Sequence, residues 1–456
     1  MRKRIAVLVA QVDETTQNRF LIEFIKQAYV YDYDVCIFTM YQKYQETALR
    51  DIGDSNIFKL INFDLFDAVV MLTDTILVPG LAMTIQKKIK ATFQGPVLIV
   101  DKESPYFDSV IMDHYTPVHK IVDHLIERHN YKDIAFLGGK EGHPHSVQRL
   151  NAFMDSMAEH NIPVQDKWIY HGNYWYDSAE EFVDILLKDR DNLPRAIVCA
   201  NDFMAIGAAT KLTENGVRVP EDVAITGYDS KEDGKHSPSP LTSADIPAAE
   251  CGQYCMMDIH ARLNGKKLDG FKSDAPIFIG DSCGCKHLME MVPKALRSRW
   301  RTQQSSRSMF SDFNHILEDL LSQNDLTDFL NVIKDYSYQI RPFYSFDICL
   351  NDGFMNPSAV MGERSIRIGY AEKMYRVLRC NEDITKDVID LNDSFDTSLM
   401  IPELKEERDY QHRPQFCGLF FFVMKFTEKL RSNMIYGPDR QEKGYKYGSC
   451  STKGTC

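Results

Sequence analysis

Long apolar runs are what this sequence most plainly lacks. Nowhere in its 456 residues does a stretch approach the ~18–20 apolar residues that a membrane-spanning helix needs, so no membrane partner is expected. Positive charge is also short. The 53 Lys and Arg against 65 Asp and Glu leave a net charge of −12, which excludes a surface built throughout for nucleic-acid phosphates. Disulfide patterning is missing as well: eleven cysteines, an odd number scattered over a long chain, point to reduced thiols. The opening Met1-Arg-Lys-Arg4 and Ile5–Ala10 imitate a secretion signal. The apolar run is short, however, and meets Gln11 and Asp13 without a small-residue cleavage site. A cytoplasmic location is the expectation.

Chemical motifs are scarce too. The turn after the first strand, Ala10–Gln17, contains no glycine, so backbone cannot approach a pyrophosphate as dinucleotide binding demands. Gly138-Gly139-Lys140 follows a strand but lacks the spacing and the Ser/Thr of a phosphate loop. No set of nucleophile, base and orienting group stands out, so neither an enzyme nor a cofactor is expected. No internal repeat of short period is visible.

What is present is the balance of a core-forming chain, with 44% hydrophobic and 26% charged residues, long enough for two or three domains of ~150 residues. Short apolar runs at Ile5–Ala10, Val35–Thr39, Ala68–Leu72, Val97–Asp101, Ile134–Gly138, Ala196–Ala200, Val223–Thr226 and Ile277–Gly280 read as strands. Helical spacing fills the gaps, as in Pro117–His129, Ser146–His160, Asp202–Asn215 and Ala248–Leu263. Such alternation marks βαβ units, and about eight strands exceed one small sheet, giving an α/β fold with two sheets. Character changes near Cys285. Residues 286–341 read as a helical linker whose stripe of Met309, Phe313, Ile316, Leu317, Leu320 and Leu321, continued by Phe329, Val332 and Ile333, is explained by helix packing. Residues 342–430 read as a small, incomplete α+β module, of GAF-like character, and 431–456 as a disordered tail.

The most informative block is Cys199-Ala-Asn-Asp-Phe-Met-Ala-Ile-Gly-Ala208, followed by Asn215–Ser230. A strand ending at Ala200 puts Asn201 at a carboxyl edge, and the next strand does the same for Asp229. Ligands of open α/β sheets bind beyond such edges. Asp202 reads first as a helix N-cap. The runs Ala200–Ala208, Gly216–Val223, Thr226-Gly-Tyr-Asp229 and Ser239-Pro-Leu-Thr242 together resemble the effector-binding domain of the lac-repressor/purine-repressor family, as do Asp133–Gly139 and Ser146–Phe153. The resemblance covers roughly residues 4–282. It implies a periplasmic-binding-protein type I fold: two Rossmann-like subdomains within residues 1–285, crossed three times by the chain and closing on a small polar ligand such as a sugar. It also implies a homodimer acting in transcription regulation or signalling. Arg149 then resembles the arginine that grips the effector, Asn201 and Asp229 its polar contacts, and Tyr174, with Trp175 beside it, the aromatic cover. A guanidinium fork facing a carboxylate suits vicinal hydroxyls.

The chain departs from that pattern in starting on the first strand with no helix-turn-helix before Ile5, so direct DNA binding is not expected. The exit Ser282-Cys-Gly-Cys285 resembles repressor-like sensors that precede signalling outputs, which makes the input half of a diguanylate cyclase or histidine kinase the alternative. No metal is expected. Cys251 and Cys255 share a helix face suited to packing, and Cys283-Gly-Cys285 is tightly spaced for zinc. His114, His119, His124 and His129 recur every five residues, which on an α-helix spreads them by ~140° each. His143 and His145 read as an exposed loop near the cleft. Arg297, Arg299, Arg301 and Arg307 around Trp300 read as a solvated linker face.

Overall fold

The computed structural model describes residues 2–40, 48–274, 276–285, 314–340, 343–355, 369–406, 416–419 and 422–426. Its first lobe is a parallel sheet of β1 (Arg4–Ala10), β2 (Asp34–Met40), β3 (Ala68–Leu72), β4 (Val97–Val100) and β5 (Asp108–Val110), in the order β2-β1-β3-β4-β5. The second lobe contains β6 (Ile134–Gly138), β7 (Ile169–His171), β8 (Ala196–Cys199), β9 (Ala224–Tyr228), β10 (Thr242–Ala244) and β11 (Ile277–Phe278), ordered β7-β6-β8-β9-β10-β11. All its neighbours are parallel except β11 on β10. The central strands β1, β3 and β6 are buried along their whole length, as expected for parallel strands with helices on both faces.

Three passages join the lobes: after β5, after β10, and after the helix Ala248–Leu263. That helix returns to the first lobe and packs beside Thr15–Val30. There Cys251 and Cys255 are buried, their sulfurs 4.0 Å apart, and serve as small apolar groups in the core. Sequence reasoning places eight strands and the main helices within a few residues. It omits β5, β7 and β10, which have only three residues each, and the helix Leu81–Thr92. One helix is different in kind. The segment read as Pro117–His129 is α-helical only over Thr116–Asp123 and continues as a π turn over His124–Arg128.

The C-terminal region does not stand apart. β12 (Phe343–Asn351), β13 (Lys373–Asn381), β14 (Val388–Ile389), β15 (Ser394–Asp396), β16 (Phe416–Leu419) and β17 (Phe422–Phe426) form an antiparallel group. Its strand β16 pairs parallel with β2, so both belong to one 11-stranded sheet. Met374, Phe395, Met400, Ile401 and Leu404 share a core with Leu8, Phe38 and Phe58 of the first lobe. The buried Arg4 guanidinium donates to the Leu404 carbonyl at 2.6 Å. The expected linker stripe is only partly covered: Leu317 and Leu321 are 44% and 78% exposed, whereas Ile333 packs, half-buried, against the core of the module around Leu330, a residue outside the expected stripe. Met309, Phe313, the arginines around Trp300 and the tail 431–456 lie outside the described residues.

Because Phe395 sits in the shared core, Phe395→Ala should cost about 3–4 kcal/mol. The loss should appear in the unfolding transition of the first lobe. Urea denaturation followed by a first-lobe probe checks this, and a first-lobe midpoint that stays put while a separate transition moves would contradict the shared core.

Candidate functional site

Residues just past β1, β3 and β4, among them Gln11, Asp74 and Asp101, face His145 and Arg149 of the second lobe across a cavity of about 210 Å³. Arg149, on the helix Pro144–Glu159, is 4% exposed. It donates to the Ala200 carbonyl and, through Nη2, to His114 Nδ1 at 3.2 Å, and its guanidinium carbon lies 3.6 Å from the centre of the Tyr228 ring. A guanidinium can only donate, so His114 Nδ1 accepts and its proton sits on Nε2. That N–H points at Asp101 Oδ2, 3.0 Å away, while the Tyr228 hydroxyl lies 2.9 Å from Nδ1 and donates there as well.

His145 is buried, not part of an exposed loop. It stacks on His114 with centroids 3.9 Å apart, its Nε2 lying 3.4 Å from the Asp101 carboxylate and its Nδ1 3.6 Å from that of Asp74. Burial, reinforced by His114, pushes the His145 pKa down to about 4, so the ring is neutral. Burial alone would raise the pKa values of Asp74 and Asp101. The facing histidines outweigh it and hold both carboxyls below the usual range, leaving the cavity with two ionised carboxylates.

The predicted site residues fall into two groups. Arg149 lines the cavity. Asp229 follows β9 with φ 105°, is half-buried, and accepts no hydrogen bond from the described residues. Burial raises its pKa, against the pull of Arg149 and Lys231. Asn201 is the N-cap of the helix Asp202–Glu214: its extended backbone lets Oδ1 accept from Met204 N–H at 3.0 Å. Its Nδ2 donates to the Tyr174 carbonyl at 2.9 Å, so the amide braces that loop. The cap expected at Asp202 therefore belongs one residue earlier. Asp202, the first helical residue, is buried and accepts from Ser243 Oγ at 2.7 Å and Lys231 N–H at 2.6 Å. A Cβ on Gly227 would lie 2.0 Å from its carboxylate, so only glycine fits there. Tyr174 lies over Gly139, where a Cβ would lie 2.0 Å from the ring. Trp175 stacks on Phe203 with centroids 5.1 Å apart. Lys231 Nζ, 4.2 Å from the Phe203 centroid, reaches Glu14 of the first lobe at 3.0 Å and bridges the cleft rim.

Sequence reasoning misses Asp74, Asp101, His114 and Tyr228. Tyr228 stands inside the Thr226–Asp229 motif and His114 directly after Val110–Asp113, but the hydrogen bond between them is visible only in three dimensions. The histidine series also needs correcting. His124 and His129 do not diverge; their Nε2 atoms are 3.3 Å apart. The π turn takes more residues per turn than the ~3.6 of an α-helix, which brings the fifth residue back toward alignment.

Two lobes, three crossings and a cleft at the strand ends define a bilobal binding-protein architecture. Residues 122–283 match the family model described as a periplasmic binding protein-like domain. The chain is 33% identical over 150 residues to the HTH-type transcriptional repressor PurR of Actinobacillus pleuropneumoniae serotype 3 (strain JL03), covering 32% of this chain and 44% of that protein. It is 31% identical over 173 residues to the PurR of Aliivibrio salmonicida (strain LFI1238), covering 38% and 51%. The match thus spans about half the length of these curated relatives. A LacI family transcriptional regulator from Mycobacterium smegmatis shares the fold, with a TM-score of 0.50, 18% identity, and coverage of 61% of this chain and 98% of that one. The two-lobed part of this chain thus resembles the effector-binding domains of LacI-type regulators in fold and, over residues 122–283, in sequence. These relatives carry the names of regulators and none that of an enzyme.

Burial and the nearby charge of Asp229 push the Asp202 pKa up to about 7. The folded state then holds a proton that the unfolded state has released, so this contribution is full below the ordinary carboxylate range and is lost as pH rises through about 7. Asp202→Asn, neutral throughout, should flatten that slope. Denaturant midpoints at pH 5 and pH 8 check it, the wild type losing more stability than the variant over the interval.

Proposed function

We propose that this protein is a non-enzymatic sensor of a small polyhydroxylated ligand of the sugar class, held between lobes that close on it, and that it acts in transcription regulation or signal transduction. The observation that carries this reading is the Arg149 guanidinium. It is buried at the cleft and fixed by Ala200, His114 and Tyr228, while its Nε–H finds no partner among the described residues. A buried donor without an acceptor is costly, and a small shift of the side chain toward the cavity that Arg149 lines would let a ligand oxygen supply one. The ionised Asp74 and Asp101 carboxylates offer acceptors for ligand hydroxyls. A cavity of about 210 Å³ suits a monosaccharide better than a larger molecule, being smaller than the ~300–1,000 Å³ of drug-sized pockets.

Closure follows from placement. Asp74 and Asp101 belong to the first lobe and Arg149 and His145 to the second, so a ligand touching both sets binds the closed state better and shifts the population toward it. The rim pair Lys231–Glu14 supports the same state. Output would pass through the C-terminal module or a partner, with a homodimer as the working assembly.

The test is a thermal-shift screen of the full chain against monosaccharides, sugar phosphates and nucleobases. A ligand at 100 times its Kd adds about 2.7 kcal/mol, which for a domain of this size raises Tm by roughly 5 °C. Asp74→Asn and Arg149→Ala should each abolish the shift. A nucleobase hit would move the ligand class away from sugars, and a hit that survives both changes would place the ligand elsewhere.

A further inference from the structure

The end of the second lobe carries a cluster that the cleft does not use. Cys283 and Cys285 approach the π turn that follows Thr116–Asp123, where His124 and His129 have been brought to one side. The two Nε2 atoms are 3.3 Å apart. Cys283 Sγ and Cys285 Sγ each lie 3.5 Å from His124 Nε2, and Cys285 Sγ lies 3.3 Å from His129 Nε2. All four atoms fall within 4.8 Å of one another.

From these distances we infer that His124, His129, Cys283 and Cys285 form a structural zinc site. A tetrahedral zinc ion with Zn–N of about 2.05 Å and Zn–S of about 2.3 Å sets N···N edges near ~3.35 Å and N···S edges near ~3.55 Å. The four measured separations match those edges. The donor types match too, since two imidazoles and two thiolates are a standard zinc set and four protein ligands leave no open position, the mark of a structural site. Charge balances: the two thiols release two protons to solvent on binding, and Zn²⁺ with two thiolates and two neutral imidazoles is uncharged, which suits the burial of both cysteines.

The backbone and the surrounding side chains are arranged for this geometry. Gly284 has φ 103°, and a Cβ there would lie 2.9 Å from the Tyr131 hydroxyl, so only glycine lets the tight Cys-x-Cys turn present both sulfurs to the histidines. The Tyr131 ring stacks on His129 with centroids 5.2 Å apart, and its hydroxyl donates to the Cys283 carbonyl at 3.2 Å. Arg195 lies 4.4 Å from the centre of that ring and donates to its hydroxyl at 3.0 Å. Such outer groups orient ligands in metal sites.

The ion would pin the last residues of the second lobe to the helix that begins it. Metal analysis of the full chain, purified under reducing conditions without added metal or chelating resin, should find about one zinc per chain. Co²⁺ titration of the metal-stripped chain should give intense tetrahedral d–d bands in the visible and a thiolate-to-cobalt charge-transfer band in the ultraviolet. Cys285→Ser should weaken the charge-transfer band, and His129→Ala should lower zinc retention against a chromogenic chelator. Cys251→Ser, in the first lobe, should change neither. Absence of zinc together with a purely octahedral cobalt spectrum in the unmutated chain would overturn the assignment, whatever the variants do. So would zinc content and cobalt bands unaltered in both ligand variants.

Discussion

His114 accepts at Nδ1 because a guanidinium that can only donate sits 3.2 Å from it, and much of the cleft follows from that one constraint. With its proton on Nε2, the ring donates to Asp101 at the end of β4. Arg149 and Tyr228 belong to the second lobe and Asp101 to the first, so a single imidazole on the first crossing segment connects the two. The stacked His145 completes the arrangement by placing a neutral ring between Asp74 and Asp101. A site wired this way is ordered before a ligand arrives, which lowers the cost of ordering side chains on binding. It also confines the open hydrogen-bonding capacity to a few atoms, and the class of ligand rests on these.

Much of this was legible in the sequence wherever periodicity and burial agree. Strands β1, β3, β4, β6 and β8 are apolar runs buried on both faces, and such runs announce themselves. Three-residue edge strands such as β5 and β7 carry too few side chains to form a pattern. β13 was hidden for another reason: Lys373, Arg376 and Arg379 interrupt it, and the charges of the two arginines are met only in space. Arg376 and Arg379 both bind Glu403, and Arg379 also binds the buried Asp347. The α-helical assumption concealed the His124–His129 pair, because nothing in the local sequence signals that the helix widens there.

The motif drew attention to the ends of β8 and β9, whereas the cavity is lined by residues past β1, β3 and β4 and by Arg149, and the motif did not show how its own residues divide their labour. Asn201 stands in the expected place, yet both ends of its amide are engaged in holding the loop of Tyr174 and the start of a helix. Asp202 stabilises the segment around Lys231 and Ser243. Residue type and position show that a polar group stands at the strand edge. Which partner it takes depends on whether its backbone is extended, as at Asn201, or already helical, as at Asp202.

The connectivity of the C-terminal half bears on how a closing cleft could be read out. Cys285 ends in the second lobe, whose core includes both Cys283 and Cys285. The next elements to join a core, from Leu326–Tyr336 through β12 to β17, pack within a module that shares the sheet of the first lobe. The chain between Cys285 and that module therefore starts on one lobe and ends attached to the other. A rotation of one lobe against the other would change the distance between the two ends of this segment, so closure of the proposed sensor would be transmitted to it by geometry. An anchored Cys283–Cys285 turn would make the transmission stiff, because the segment's starting point would then move with the whole second lobe and not with a single loop.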